Sequence, residues 1–155
     1  MNTILSIGKP EDFDLMIKQA PLVIVTSYRG SWCPFCRSYL RKFDEARTSF
    51  PNNSLLIGVS VDTVEECKDL KIKLDLGFDL VSDENLILRK LLNVATGKGH
   101  GKEAYLQPSV FIFTDGQKAF EWIQKPILMN LGGAIDRIPV NEVIQNVQRL
   151  SNEIT

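Results

Sequence analysis

The chain has 155 residues, with 18 lysines and arginines against 19 aspartates and glutamates, a formal net charge of −1, and 44% hydrophobic residues. That balance argues against a nucleic-acid partner, which usually meets a strongly basic face, and no stretch approaches the roughly 18 apolar residues of a membrane span. A chain of this length buries roughly 70% of its unfolded surface as one domain, so residues 1–155 are read as a single domain.

Near the N-terminus the short run Ile4-Leu5-Ser6-Ile7 gives way to Lys9, Glu11 and Asp12, which is no signal peptide, and a cytoplasmic location is expected. Glu11 to Ala20 reads as a short amphipathic helix with Phe13, Met16 and Ile17 on one side, stopped by Pro21. Leu22-Val23-Ile24-Val25 is a continuous apolar run, as in a strand buried on both faces. After the turn at Arg29-Gly30-Ser31, the residues Cys36, Leu40, Phe43, Ala46 and Phe50 recur at helical spacing until Pro51. Ser54 to Val61 is a second buried strand, and Asp62 or Thr63 can cap the helix after it, with Glu65 and Glu66 in its first turn.

Phe78 to Val81 reads as a short strand, and Ser82-Asp83-Glu84 opens a helix through about Leu92. Thr96 to Gln107 is rich in glycine and polar residues and is expected as a loop. Val110 to Phe113 is strand-like, Asp115-Gly116 is a hairpin turn signal, and Ala119 to Ile123 returns as the partner strand. Pro139 suits the first residue of a last helix, whose stripe is Val140, Val143, Ile144, Val147 and Leu150. Lys125 to Asp136 carries no assignable pattern. The order of elements predicts a three-layer α/β domain, mainly parallel with an antiparallel edge.

The cysteine count is three, odd and low for a disulfide-stapled domain. Two of the three form Cys33-Pro34-Phe35-Cys36 where the first strand hands over to the second helix. A thiol there faces unpaired backbone N–H groups and the positive end of the helix dipole, which favour its thiolate. Pro34 suits the first turn, where its missing donor goes unneeded. Cys36 lies on the same face, with Cβ atoms roughly 5–6 Å away at that spacing. A disulfide asks for about 3.5–4.5 Å, so a slight tightening closes one. A low pKa also makes Cys33 a good leaving group wherever a disulfide bond to it is broken, and attack is assigned to Cys33 and resolution to Cys36. Half of a zinc site is the competing reading of the pair, with only Cys67 and His100 to complete it.

The stretch Tyr28-Arg29-Gly30-Ser31-Trp32-Cys33-Pro34-Phe35-Cys36 resembles the active site of thioredoxin-fold proteins. Gly58-Val59-Ser60-Val61-Asp62, Leu80-Val81-Ser82-Asp83-Glu84 and Pro108-Ser109-Val110-Phe111-Ile112-Phe113 with Asp115-Gly116 and Trp122 are similar to the peroxiredoxin (AhpC/TSA) branch. The resemblance spans Val23 to Trp122. It implies a thioredoxin-like fold, three-layer α/β/α with a mixed central sheet. Two departures stand out. The proline and the hydroxyl residue that peroxiredoxins place before the reactive cysteine are here Thr26 and Gly30. Where many of them carry an arginine ahead of a strand, this chain has Gln107-Pro108. That dipeptide resembles the cis-proline segment beside a thioredoxin dithiol, which would leave a backbone edge free for a substrate.

The resulting expectation is a thiol-disulfide oxidoreductase with Cys33 and Cys36 as catalytic dithiol and Trp32, Pro34, Arg29, Gln107 and Pro108 in support. Its substrate would be a protein or small-molecule disulfide, or a peroxide, and an external thiol would restore the dithiol. No metal or organic cofactor is expected. A thiol peroxidase with Cys33 oxidised to sulfenic acid and Cys36 resolving is the first alternative. A redox-gated or zinc-capped binding module is the second. Arg29 and Arg37 are read either as thiolate partners or as solvated charge. Trp32 either covers the site or fills the core edge, and Phe35 tunes the dithiol's surroundings. His100, the lone histidine, sits in a surface loop or on a lid. Cys67 shares a helix stripe with Val64, Leu70 and Leu74 and is expected in the core.

Overall fold

A computed structural model describes residues 4–125 and 137–154. Its elements are α1 (Pro10–Ile17), β1 (Leu22–Ser27), α2 (Pro34–Ala46), β2 (Ser54–Ser60), α3 (Val64–Leu74), β3 (Asp79–Ser82), α4 (Ile87–Leu92), β4 (Thr96–Gly99), β5 (Lys102–Leu106), β6 (Ser109–Thr114), β7 (Gln117–Ile123) and α5 (Val140–Glu153). Five strands form one mixed sheet in the order β3-β2-β1-β6-β7. β1 pairs in parallel with β2 and antiparallel with β6, and the β6–β7 hairpin supplies the antiparallel edge. At the other edge, backbone hydrogen bonds between Ser82 and both Leu5 and Ile7 add the N-terminal segment to β3.

β1 is buried along its whole length because both faces of the sheet are covered. Its alternate residues separate into two cores, as a period of two requires. Leu22 and Ile24 pack with Leu40 and Phe43 of α2, Leu70 of α3 and Val143 and Val147 of α5. Val23 and Val25 pack with Phe13 and Met16 of α1, Ile87 and Leu88 of α4, and Tyr105 and Leu106 of β5. The three-layer arrangement is the one the order of elements predicted and the mixed central sheet the one the resemblance implied; two of its four strand pairings are antiparallel, so the sheet is not mainly parallel.

Four local readings need correction. The polar stretch from Thr96 is no loop, since β4 and β5 pair as a separate two-stranded sheet. Its tip turns through Gly99, His100 and Gly101, all at positive φ. α4 begins at Ile87 rather than at Ser82. The Asp83 carboxylate still caps it, accepting from the N–H groups of Ile87 and Leu88 at 2.8 and 3.0 Å, but Leu86 in the left-handed region delays the first turn. Finally, every described peptide bond is trans, Gln107-Pro108 included. Pro139 stands one residue outside α5, as its N-cap. Of the two candidate caps on α3, Thr63 serves, exchanging hydrogen bonds with Glu66. Residues 126–136, which hold most of the unassigned stretch, lie outside the described residues.

Candidate active site

β1 ends at Ser27, and the chain crosses from Tyr28 to Trp32 before α2 starts at Pro34. Cys33 is the N-cap of α2, and its Sγ accepts the N–H of Cys36 at 3.3 Å. This is the contact an unpaired helix-start donor offers to an anion. Cys36, one turn on, receives the Arg29 N–H at 3.3 Å. Both sulfurs belong to cysteines only 1% exposed, and no described cysteine is in a disulfide.

Two guanidinium groups flank the pair. Arg29 is buried, with Nη1 3.9 Å from Cys33 Sγ and Nη2 donating to the Tyr105 hydroxyl at 2.8 Å. Arg137, just before α5, brings Nη2 to 3.2 Å from Cys36 Sγ and 4.0 Å from Cys33 Sγ. Arg37, by contrast, turns away and donates to the Ser31 carbonyl at 2.8 Å. Sequence reasoning missed Arg137. It is 101 residues from Cys36 and beside a stretch without pattern.

These contacts divide the two thiols. The Cys33 thiol is lowered from 9.0 to about 5, first by the hydrogen bond from the Cys36 thiol, then, against burial, by the Cys36 N–H and the charges of Arg29 and Arg137. Cys36 is pushed well up by its burial and by the Cys33 thiolate beside it. One sulfur is an anion near neutral pH while the other keeps its proton. That is the division of labour expected of an attacking and a resolving thiol.

The indole of Trp32 is sandwiched above this loop. It stacks on His100 with ring centroids 3.6 Å apart and 8° between planes, meets the Tyr105 ring edge-on at 5.1 Å, and lies 4.8 Å from the Arg29 guanidinium. The hairpin of β4 and β5 therefore covers one side of the dithiol loop, with His100 at its tip. A Cβ built on Gly30 would stand 2.3 Å from Trp32 Nε1. The hydroxyl residue that peroxiredoxins carry there has no room beside the indole.

Gln107 and Pro108 do not offer a free backbone edge. The Gln107 N–H donates to Ala95 at 2.8 Å, its carbonyl accepts from the Ser27 hydroxyl at 2.7 Å, and the Pro108 carbonyl accepts from Gln124 N–H at 3.1 Å. With the bond trans as well, the expected substrate-binding edge at this dipeptide is withdrawn. Cys67 lies in the core, 3.8 Å from the Tyr28 hydroxyl, and burial raises its thiol to about 11. Among the described residues no three His, Cys, Asp or Glu side chains gather as a metal site. His100 and Cys67 stand apart from the pair, one on Trp32 and the other under Tyr28.

A dithiol at the start of a helix, on a mixed sheet layered between helices, defines a thiol redox protein of thioredoxin-like fold. Residues 9–118 match the AhpC/TSA family, and the chain belongs to it. Members of that family are thiol-dependent oxidoreductases, and this chain is an oxidoreductase. No curated protein sequence matches it.

Solved structures agree on the fold. Peroxiredoxin 6 of Arenicola marina superposes with a TM-score of 0.71 at 15% identity, over 90% of this chain and 64% of that one. The chain thus spans a little under two thirds of that protein. PrxQ of Xylella fastidiosa gives 0.69 at 20% identity over 88% and 82% of the two chains. A peroxiredoxin-like protein of Aquifex aeolicus gives 0.69 at 19% identity over 85% and 73%. Among the described residues no helix is long and apolar enough to cross a membrane.

Proposed function

We propose that the protein is a thiol-disulfide oxidoreductase, one domain over residues 1–155, working in the cytoplasm. The observation that carries this is the split acidity of Cys33 and Cys36 across one helical turn. The Cys33 thiolate attacks a disulfide, forming a mixed disulfide and expelling one substrate thiolate. Cys36 then attacks Cys33 Sγ, the intramolecular bond forms, and the second substrate thiol leaves. An external thiol reductant returns two electrons to the pair. Arg29 and Arg137 stabilise the thiolate, Pro34 presets the first turn, and Trp32 screens one side. Gln107 and Pro108 support the site from behind by holding Ser27 and Gln124.

Access sets a condition. With Cys33 1% exposed, a reagent meets its sulfur only after a neighbouring side chain moves. Trp32 with the β4–β5 tip, and Arg137, are the neighbours placed to do so.

The second reading is a thiol peroxidase. The family and its solved relatives favour it, and so do two guanidiniums beside a thiolate, which suit a developing oxyanion. The indole in place of a hydroxyl residue counts against it. Stopped-flow oxidation of the reduced protein decides. Rapid reaction with disulfides and near-free-thiol rates with hydrogen peroxide are expected; the reverse result would make it a peroxidase.

A further inference from the structure

Beside the dithiol, between α2 and the start of α5, runs a groove of about 340 Å³. Its walls include Phe35, Tyr39 and Lys42 on one side and Arg137, Ile138 and Pro139 on the other. The arrangement is fixed from within. The Tyr39 hydroxyl donates to the Ile138 carbonyl, and the Arg137 guanidinium lies over the Tyr39 ring at 5.8 Å. The same guanidinium reaches Cys36 Sγ at 3.2 Å, so the groove abuts the reactive sulfurs. Among the described residues that line it, two are cations and none is an acid, on a chain whose net charge is −1. Phe35, between the two cysteines in sequence, is a large apolar side chain 47% exposed at its rim.

The cationic stretch is short. A second groove of about 460 Å³ continues past Lys42 between the same helices, but Glu45 lines it. Glu142 also acts on Tyr39 from the α5 side. Cys33 and Lys42 are nine residues apart, about 13 Å along a helix rising 1.5 Å per residue. An extended chain covers that span in about four residues at 3.3–3.6 Å each.

We infer that this groove binds the carboxylate-bearing arm of a small disulfide, with its carboxylates on Lys42 and Arg137 and its apolar stem on Phe35. The inference rests on the reading of Cys33 and Cys36 as a disulfide-exchanging pair, and it names the substrate class. Charge selects the substrate; the chemistry is the same exchange. Cys33–S⁻ and RSSR give Cys33–S–SR and RS⁻. Cys36 then displaces the second RS⁻, its proton passing to solvent, and the protein is oxidised by two electrons as the substrate is reduced.

The test compares glutathione disulfide with the neutral 2-hydroxyethyl disulfide as oxidants of the reduced full chain, scaled to the ratio that the neutral thiol 2-mercaptoethanol gives. The protein should favour the charged disulfide by about fivefold over that reference, on the scale of one or two exposed ion pairs. Lys42→Glu, at an exposed position, should remove the preference, and high salt should compress it. Equal treatment of the two disulfides, or a preference that survives Lys42→Glu, would overturn the groove assignment and leave the dithiol reading standing. If neither disulfide reacts faster than with a free thiol, the dithiol reading itself falls and takes the inference with it.

Discussion

Cys33 and Cys67 are equally hidden, each 1% exposed, yet their thiols move in opposite directions from 9.0, one to about 5 and the other to about 11. Burial works against the anion in both places. At Cys33 it is outweighed by the Cys36 thiol and N–H and by two guanidiniums. At Cys67 the Tyr28 hydroxyl is the main counterweight, and the Asp62 and Glu66 carboxylates add repulsion. Position in the helix makes the difference. Cys33 caps α2, where donors point outward unpaired, whereas Cys67 sits in the second turn of α3, and its own N–H already bonds the Thr63 carbonyl at 2.9 Å. Thiol acidity here follows the donors around the sulfur and not its exposure.

The largest expected effect separates these two regions outright. Cys33→Ser should lower disulfide exchange by at least about 10³-fold, the scale on which losing an enzyme nucleophile acts. Cys67→Ser should leave exchange within about twofold and cost about 1–3 kcal/mol of stability, read from chemical unfolding. Comparable losses of activity from both variants would erase the distinction.

Next in size is Gly30→Ser. Its Cβ meets an indole pinned by His100 and Tyr105, so overpacking should cost about 1–3 kcal/mol. A stable variant with a faster peroxide reaction would show instead that the loop yields and that the peroxidase reading is the better one.

Arg29→Gln tests the charges directly. A guanidinium 3.9 Å away lowers a thiol's pKa by about one unit, so the variant's alkylation profile should shift up by that amount. Arg137→Gln should act the same way on Cys33. The wild-type profile should have its midpoint near pH 5, while Cys67 stays unlabelled in the folded protein.

A further effect lies in the pH dependence of stability, and its sign differs between the regions. Cys33, lowered from 9.0 to about 5, contributes stability fully present above about pH 9 and lost as pH falls toward 5. The stability advantage of wild type over Cys33→Ser should therefore widen as pH rises from about 5 to 9 and narrow as it falls. Cys67, raised to about 11, contributes stability present below about pH 9 and lost as pH rises through 11. Its serine variant should close on wild type above pH 9. Parallel curves for the two variants would contradict the opposed shifts.

Much of this was legible in the sequence, because the signals were local. The apolar runs of β1 and β2, the Asp115-Gly116 turn and the Pro34 and Thr63 helix starts all rest on neighbours in the chain. So did the pairing of Cys33 with Cys36 at a helix N-terminus. What stayed hidden was long-range or without pattern. Arg137 reaches the sulfurs across 101 residues from a stretch that shows no periodicity. The β4–β5 hairpin is polar, with glycines where alternation would be read, so its strands are marked only by their pairing with each other and by the Trp32–His100 stack. The cis expectation at Pro108 came from resemblance alone, and the hydrogen bonds of Gln107 and Pro108 to Ala95, Ser27 and Gln124 use the edge it required.

The central claim is that Cys33 attacks and Cys36 resolves. Incubating the reduced Cys36→Ser variant with a disulfide and locating the adduct by peptide mass spectrometry tests it most directly. One mixed disulfide per chain, at Cys33, is the predicted result, with none in Cys33→Ser. An adduct at Cys67, or no trapped adduct at all, would contradict it.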